Sequence, residues 1–105
     1  MIARIWRGVV RAENAAAYAD YVKRTGFEEY KETAGNRGAW LLQRVDGDRA
    51  ELITMSLWES REAIVGFAGQ DIDKAVYYPE DERFLIERDL TVRHYEVIDS
   101  KDDQP

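Results

Sequence analysis

The chain contains no cysteine and a single histidine, His94, among its 105 residues. The absence of thiols excludes disulfides, thiolate metal sites, iron–sulfur clusters and cysteine nucleophiles together. One histidine with scattered carboxylates does not supply the spaced ligand set that a metal site needs. The sequence also has no G-x-G-x-x-G, P-loop or G-x-S-x-G motif. We therefore expect no metal site and no tightly bound organic cofactor.

Long apolar runs and clustered basic residues are missing as well. The hydrophobic stretches are only a few residues long, and the start "MIARIWRGVVR" contains three arginines. We therefore expect neither a membrane-spanning helix nor a signal peptide. The formal net charge is −6, and no basic stripe is present to bind nucleic acid or anionic lipid. These absences predict a cytoplasmic protein without nucleic-acid or membrane partners.

What remains is the composition of an ordinary globular domain. Hydrophobic residues make up 45% of the chain, aromatic residues 11% and charged residues 34%. Such a composition can bury enough apolar surface to fold. A chain of this length forms one domain around one core. We expect that domain to span residues 1–99 and the acidic tail, residues 100–105, to be frayed.

The hydrophobic pattern of the first half predicts a strand, a helix and a hairpin. "IARIWRGVV" alternates as a strand does, and "ENAAAYADYVKRTGFEEYKETAG" has helical spacing with Asn14 at its N-cap. The apolar stripe of this helix changes phase at Thr25-Gly26, which predicts a break. Asp46-Gly47 predicts a tight hairpin turn between "AWLLQRV" and "AELITMSLW".

The second half predicts a helix and a final strand. Ser60 is the expected N-cap of a helix that Gly69 ends. Asp71 predicts a short helical turn, and Pro79 begins a further helical segment that contains Phe84 and Leu85. "LTVRHYEVI", residues 90–98, predicts the last strand. The complete order is that of the α+β, ferredoxin-like βαββαβ fold.

The predicted sheet is apolar on both faces. In the third strand Ile53, Met55 and Leu57 point to one face, whereas Leu52 and Trp58 point to the other. The helices of a ferredoxin-like fold cover only one face, and the other would expose a larger apolar patch than monomers usually carry. The same surface of a second subunit is the simplest cover. The sequence therefore predicts a two-fold homodimer.

Three segments resemble the antibiotic biosynthesis monooxygenase family: "MIARIWRG", "GNRG" and "LITMSLWESREAIVGFAGQDIDKAVYYPEDERF". The resemblance covers roughly residues 1–98 and implies a dimeric α+β barrel. In the cofactor-free monooxygenases of that family, a pocket between sheet and helices binds a polyphenolic substrate whose carbanion reacts with oxygen. The same superfamily includes haem-degrading enzymes, lactone isomerases and proteins with no known activity.

The resemblance transfers only part of the family's site to this chain. Trp58 matches the pocket tryptophan, but the family's asparagine four residues earlier is Thr54, and the tyrosine six residues later is Ile64. The resemblance implies a cofactor-independent monooxygenase acting on an aromatic or polyketide-like small molecule. The alternative is a non-catalytic, small-ligand-binding or stress-related dimer. A haem-degrading role requires an axial ligand, and because His94 lies in the last strand we expect no haem.

The resemblance and the residue chemistry together name the expected residues of such a site. Trp58 and His94 are the expected catalytic residues: the resemblance implies Trp58, and histidine is the only side chain here whose unperturbed pKa lies near neutrality, which suits a general base. The alternatives are a packing role for Trp58 and a hydrogen-bonded structural role for His94. Thr54 and Tyr78 are expected to contact the substrate.

The arginines of the first strand and the pair Tyr77 and Tyr78 each have two possible roles. Arg4 and Arg7 lie on opposite faces of the first strand, so one can enter the pocket and bind an enolate or carboxylate, and we assign Arg7 to that role. The alternative for either arginine is an ion pair with acids at the rim. Tyr77 can orient a phenolic ligand beside Tyr78, or both can close the dimer. "PEDERF" predicts a solvated acidic turn.

Overall fold

The computed structural model describes residues 1–101, so the predicted frayed tail lies mostly outside the described residues. The boundary of the domain at residue 99 stays a prediction. In chain order the elements are β1 (Ile2–Arg11), a 3₁₀ turn (Ala12–Asn14), α1 (Ala15–Arg24), α2 (Gly26–Glu32), β2 (Asn36–Asp46), β3 (Arg49–Trp58), α3 (Arg61–Ala68), α4 (Asp81–Phe84), β4 (Leu85–Arg88) and β5 (Arg93–Glu96).

The strands form one antiparallel sheet of five strands in which β1 is central. One edge of β1 pairs along its whole length with β3, and β3 pairs with β2. The other edge of β1 is shared, because β4 pairs with Gly8–Val10 and β5 pairs with Ile2–Ile5. This arrangement confirms the predicted α+β, ferredoxin-like fold class.

The last part of the chain differs from the prediction. The helical segment after Pro79 ends at Phe84, and Leu85 begins a strand instead. The predicted strand at 90–98 is shorter, Arg93–Glu96, and at Asp71 a single turn forms, closed by a hydrogen bond from the Lys74 N–H to the Asp71 carbonyl oxygen at 3.2 Å. The reason is non-local: an unpaired edge of β1 presents backbone N–H and C=O groups that need partners, and pairing with them prevails over local helix propensity.

The break between the first two helices is confirmed at Thr25. Its backbone departs from helical angles with φ −111° and ψ −88°, and its hydroxyl donates to the carbonyl oxygen of Tyr21 at 2.8 Å. Helix α1 packs Tyr18 and Val22 into one buried cluster with Leu52. Helix α2 packs Tyr30 into a second cluster. The break therefore lets two consecutive helices cover two parts of the same sheet face.

Local turn and cap chemistry agrees with most of the predictions. Ser60 caps α3, since its hydroxyl oxygen accepts from the backbone N–H of Ala63 at 3.1 Å. Gly69 follows α3 with φ +86°, and Gly47 forms the hairpin turn with φ +63°. Asn14 occupies the N-cap position of α1, but its side chain makes no capping hydrogen bond. Most of these element ends are thus set by nearby residues.

The two faces of the sheet differ in cover. The inner face lies under the helices and buries Leu52, Thr54, Ser56 and Trp58. The outer face lies on the opposite side and has no helix over it. Register places these apolar side chains on the outer face: Ile5, Trp40, Leu42, Ile53, Met55, Leu57 and Tyr95.

None of the helices within residues 1–101 is long and apolar enough to cross a membrane.

Candidate functional site

A cavity lies over the inner face of the sheet, beside the break between α1 and α2. Its empty volume, which includes the open solvent at its mouth, is about 470 Å³. Residues of the 76–81 segment and Phe67 close it from the side opposite the sheet. Six aromatic rings contribute to its walls: Trp6, Tyr18, Tyr30, Phe67, Tyr77 and Tyr78. Its lining therefore suits a flat, aromatic molecule.

Arg4 is the cationic residue of this cavity, although it is only 4% exposed. Its Nη1 donates to the carbonyl oxygen of Ile72 and to His94 Nε2 at 3.0 Å, and its Nη2 donates to the carbonyl oxygen of Lys74 at 3.2 Å. Burial lowers the pKa of Arg4, but a guanidinium keeps its proton at neutral pH. Since all three acceptors are uncharged or neutral groups, its positive charge is available to an anion in the cavity.

His94 lies behind Arg4 and does not line the cavity. It faces Arg4 because β5 pairs with β1 in the register Arg4 opposite His94. Its side chain is 3% exposed, and its Nδ1 is 3.2 Å from Asp73 Oδ1. Burial and the Arg4 charge lower the pKa of His94. Both ring nitrogens thus have partners, which matches the hydrogen-bonded alternative of the sequence prediction.

Trp58 is fully buried at the end of β3, behind the cavity wall. Its indole Nε1 donates to Ser56 Oγ at 2.8 Å. The ring centroid lies 5.9 Å from Tyr30 and 5.8 Å from Phe67, both of which line the cavity. Trp58 therefore supports two wall residues and does not itself reach the empty space.

Thr54 does line the cavity, on the inner face of β3. It lies beside the hydroxyl of Tyr30, whose pKa is raised by burial and lowered less strongly by hydrogen bonds to Thr54 and Ser56. The sheet side of the cavity therefore contains a small polar region next to Arg4.

Arg7 is not brought to the cavity. It lies on the outer face, opposite Ile53 of β3, and its Nε forms an ion pair with Glu51. That hydrogen bond raises the pKa of Arg7 and lowers the pKa of Glu51. Of Arg4 and Arg7, the one that lines the cavity is Arg4.

Tyr77 and Tyr78 differ in the hydrogen bonding of their hydroxyl groups. Tyr77 donates to the carbonyl oxygen of Asp89 and accepts from Trp6 Nε1 at 2.9 Å. The Tyr78 hydroxyl is buried and has no hydrogen-bond partner among the described residues. Burial raises the pKa of Tyr78, with a smaller contribution from the nearby Glu29 carboxylate. Tyr78 therefore lines the cavity with a buried hydroxyl that lies near Glu29 of α2.

The prediction of a solvated acidic turn is wrong for Asp81. This residue is 4% exposed and lines the cavity. Its Oδ1 accepts from the Tyr18 hydroxyl at 2.8 Å, and its Oδ2 accepts from the backbone N–H of Tyr78 at 2.6 Å. Burial, with the Asp81 charge, raises the pKa of Tyr18. Proline two residues before an aspartate indicates a turn, but the partner Tyr18 is too distant in sequence to be predicted.

The described residues bring together no group of three histidine, aspartate or glutamate side chains that could hold a metal ion.

Known structures with the same fold include three that align over nearly the whole chain. A candidate antibiotic biosynthesis monooxygenase from Bacillus cereus is 18% identical, with 96% of each chain covered and a TM-score of 0.69. Another from Nitrosomonas europaea is 16% identical, with 93% of this chain and 99% of that chain covered and a TM-score of 0.66. A mutant of MhuD with two manganese protoporphyrin IX molecules per active site is 16% identical, with 97% and 99% covered and a TM-score of 0.63.

No family model matches the sequence, and no curated protein matches it. At these identities the structural likeness establishes the fold alone. The resemblance seen in the sequence is thus confirmed in architecture: the chain has the fold of proteins described as antibiotic biosynthesis monooxygenases.

Proposed function

We propose that the cavity binds a small aromatic or polyketide-like molecule with an ionised oxygen, and that the protein is a cofactor-independent monooxygenase of that molecule. The observation that carries the proposal is Arg4, a buried cation that lines the cavity without a carboxylate partner among the described residues. A buried charge is costly unless it is compensated, and an anionic ligand supplies that compensation. The aromatic walls supply the apolar contacts.

The chemistry of the lining narrows the substrate class. Both oxygens of Asp81 are engaged with protein donors. Both nitrogens of His94 are also engaged. A suitable substrate must therefore ionise readily, as anthrones and hydroquinones with extended conjugation do. Arg4 stabilises the resulting enolate or phenolate, and the walls exclude water from it.

The proposed oxidation uses only the substrate and oxygen. The carbanion carbon of the bound enolate transfers electrons to O₂ and forms a carbon–oxygen bond. The resulting peroxide takes up a proton and then loses water, which leaves a carbonyl group on the substrate. Oxygen is reduced, the substrate carbon is oxidised, and no metal or flavin takes part. Arg4 and the Tyr78 hydroxyl hold the substrate oxygen through this sequence.

Tyr78→Phe tests the proposal with little risk to folding. The substitution removes a buried hydroxyl that makes no hydrogen bond of ordinary geometry, with only the Glu29 carboxylate nearby, so the free energy of unfolding should change little. If the hydroxyl binds the substrate oxygen, oxygen consumption with an anthrone panel should fall about tenfold or more. Tyr77→Phe is the control, because it breaks two protein hydrogen bonds and should lower stability. Equal oxygen consumption by wild type and Tyr78→Phe contradicts the assigned role of Tyr78.

A non-catalytic ligand-binding protein is the second candidate function. It is favoured by one observation, namely that Asp81 and His94 already use the atoms with which they would accept a substrate proton. Tight binding of one panel member without oxygen consumption by any of them would select this function. Oxygen consumption at one mole per mole of substrate would select the monooxygenase.

The described residues bring no histidine into the cavity as an axial ligand for haem. Nitrogen ligation of the iron can come only from His94, the single histidine, and its Nε2 is occupied by Arg4. His94 also lies outside the cavity lining. We expect a haem titration to give no saturable complex of one haem per subunit. A Soret complex that is lost in His94→Ala would overturn this expectation.

We infer further that the protein is a cytoplasmic homodimer, as the sequence predicts. The support for the dimer is the outer face, where large apolar side chains such as Trp40 and Leu42 are exposed in the subunit.

A further inference from the structure

The hydrogen bonds of Arg4 leave part of its guanidinium unused. An arginine has five N–H donors. Three of them donate to Ile72, His94 and Lys74. The remaining two, on Nε and Nη2, have no acceptor within residues 1–101. Because Arg4 lines the cavity, these two donors are what it can offer to a ligand.

The contact with Arg4 fixes the protonation of His94. A guanidinium cannot accept a hydrogen bond, so His94 Nε2 must be the acceptor in the 3.0 Å contact and carries no proton. The proton of the neutral ring is then on Nδ1, from which it donates to Asp73 Oδ1 at 3.2 Å. Asp73 thereby stabilises the same tautomer that the Arg4 contact requires.

We propose that His94 is a positioning residue that orients Arg4 for an anionic oxygen in the cavity, with Asp73 stabilising the tautomer of His94. This inference rests on the proposed function, because it assigns the residues that prepare the same site. It also replaces general-base chemistry as the role of the single histidine. His94 acts through Arg4 and does not touch the substrate.

A neutral hydrogen-bond acceptor leaves the charge of Arg4 in place, whereas an ion pair would compensate it. A carboxylate bonded directly to the guanidinium would compensate its charge and compete with the ligand. The neutral imidazole of His94 holds Nη1 of Arg4 in place without neutralising the guanidinium charge. The Asp73 carboxylate contacts His94 on its other nitrogen and does not bond to Arg4. The Asp73 side chain is 72% exposed, so water screens its charge. The positive charge at the cavity is therefore fixed in position, and no carboxylate is hydrogen-bonded to it among the described residues.

The tautomer can be measured without any ligand. Since the chain has one histidine, a ¹⁵N-labelled sample gives a single pair of imidazole nitrogen signals. We expect the neutral ring of wild type to be protonated at Nδ1, with Nε2 bare. Asp73→Ala should shift the ring toward the Nε2–H form that predominates in free histidine. Protonation at Nε2 in the wild type would overturn the proposal.

Ligand binding tests the effect on Arg4. The probe is 2-hydroxy-1,4-naphthoquinone, which is an anion at neutral pH, and its neutral twin is 1,4-naphthoquinone. His94→Leu removes the acceptor and should weaken binding of the anion about tenfold or more, while the affinity for the neutral quinone stays the same. His94→Gln keeps an oxygen acceptor for Arg4 and should bind the anion within about threefold of wild type. Both affinities are measured by calorimetry.

The outcomes separate this inference from the proposed function. If wild type binds the anion no more tightly than the neutral quinone, the proposal of an anionic ligand is wrong, and the positioning role of His94 is then wrong as well. If wild type prefers the anion and His94→Leu keeps that preference, only the positioning role is overturned. His94→Gln distinguishes the two roles of the histidine: a general base would lose turnover about a hundredfold in this variant, whereas a positioning residue keeps most of it.

Discussion

At the scale of single residues, the burial of His94 links stability to pH. Its pKa is lowered from 6.5 by burial, by the Arg4 charge in front of it and by Arg61, against the smaller opposing effect of Asp73. The unfolded chain therefore binds a proton more readily than the folded protein does. Stability should be complete above pH 6.5 and should fall as the pH drops below it.

His94→Gln provides the matched measurement, because glutamine keeps an acceptor but does not titrate. We expect the difference in free energy of unfolding between wild type and His94→Gln to change between pH 8 and pH 5, with wild type losing more stability on the acid side. Urea unfolding at several pH values gives this difference. Parallel curves would mean that His94 takes up its proton equally well in the folded state.

Tyr18 is the second residue whose contribution to the free energy of unfolding can be measured. Its hydroxyl donates to the buried Asp81 carboxylate and joins α1 to α4. Tyr18→Phe should lower the free energy of unfolding by about 2 kcal/mol, since a buried carboxylate loses a hydrogen bond. Arg24→Gln is the control, because it breaks an exposed contact with the Asp20 carboxylate on the same helix and should change stability by less than about 0.5 kcal/mol. Equal effects in urea unfolding would contradict a structural role for the Tyr18–Asp81 contact.

At the scale of elements, Gly35 sets how closely the turn between α2 and β2 approaches α3. Gly35 has φ +90°, and a Cβ there would lie 2.5 Å from the Cβ of Ala63. Gly47 has φ +63° in the hairpin, with open space around it. Gly47→Ala should cost about 1 kcal/mol from backbone strain alone, and Gly35→Ala about 2 kcal/mol more from overpacking. Thermal unfolding of both variants compares the two costs, and equal losses would show that α3 moves aside freely.

The same scale explains what the sequence could predict. The hairpin at Gly47, the break at Thr25 and the cap at Ser60 depend on residues next to one another, and all three are confirmed. Strand β4 could not be predicted because its partner is the distant edge of β1. For the site, alternation placed Arg4 and Arg7 on opposite faces but could not say which face the helices cover. The hydrogen bonds of Asp81 to Tyr18 and of His94 to Arg4 could not be predicted either, because these partners are distant in sequence.

At the scale of the whole molecule, the cavity and the outer face belong to opposite sides of one sheet. The helices and the 76–81 segment cover the inner face and enclose the cavity. The outer face exposes Leu42 and Trp40 on β2, next to Met55 on β3. Burying this face against a second copy would leave both cavities open to ligand, because the two sides do not overlap.

A charge on the outer face tests the homodimer. Light scattering of wild type at micromolar concentration should give about twice the chain mass of 12.2 kDa. Leu42→Lys should give the mass of one chain, because Leu42 is already 47% exposed in the subunit and the charge would have to be buried between copies. Val45→Lys is the matched control: Val45 is 55% exposed on the same strand but points to the other side, so the dimer should persist. Circular dichroism checks that both variants fold. A wild type with the mass of a single chain would refute the dimer and require another cover for the outer face.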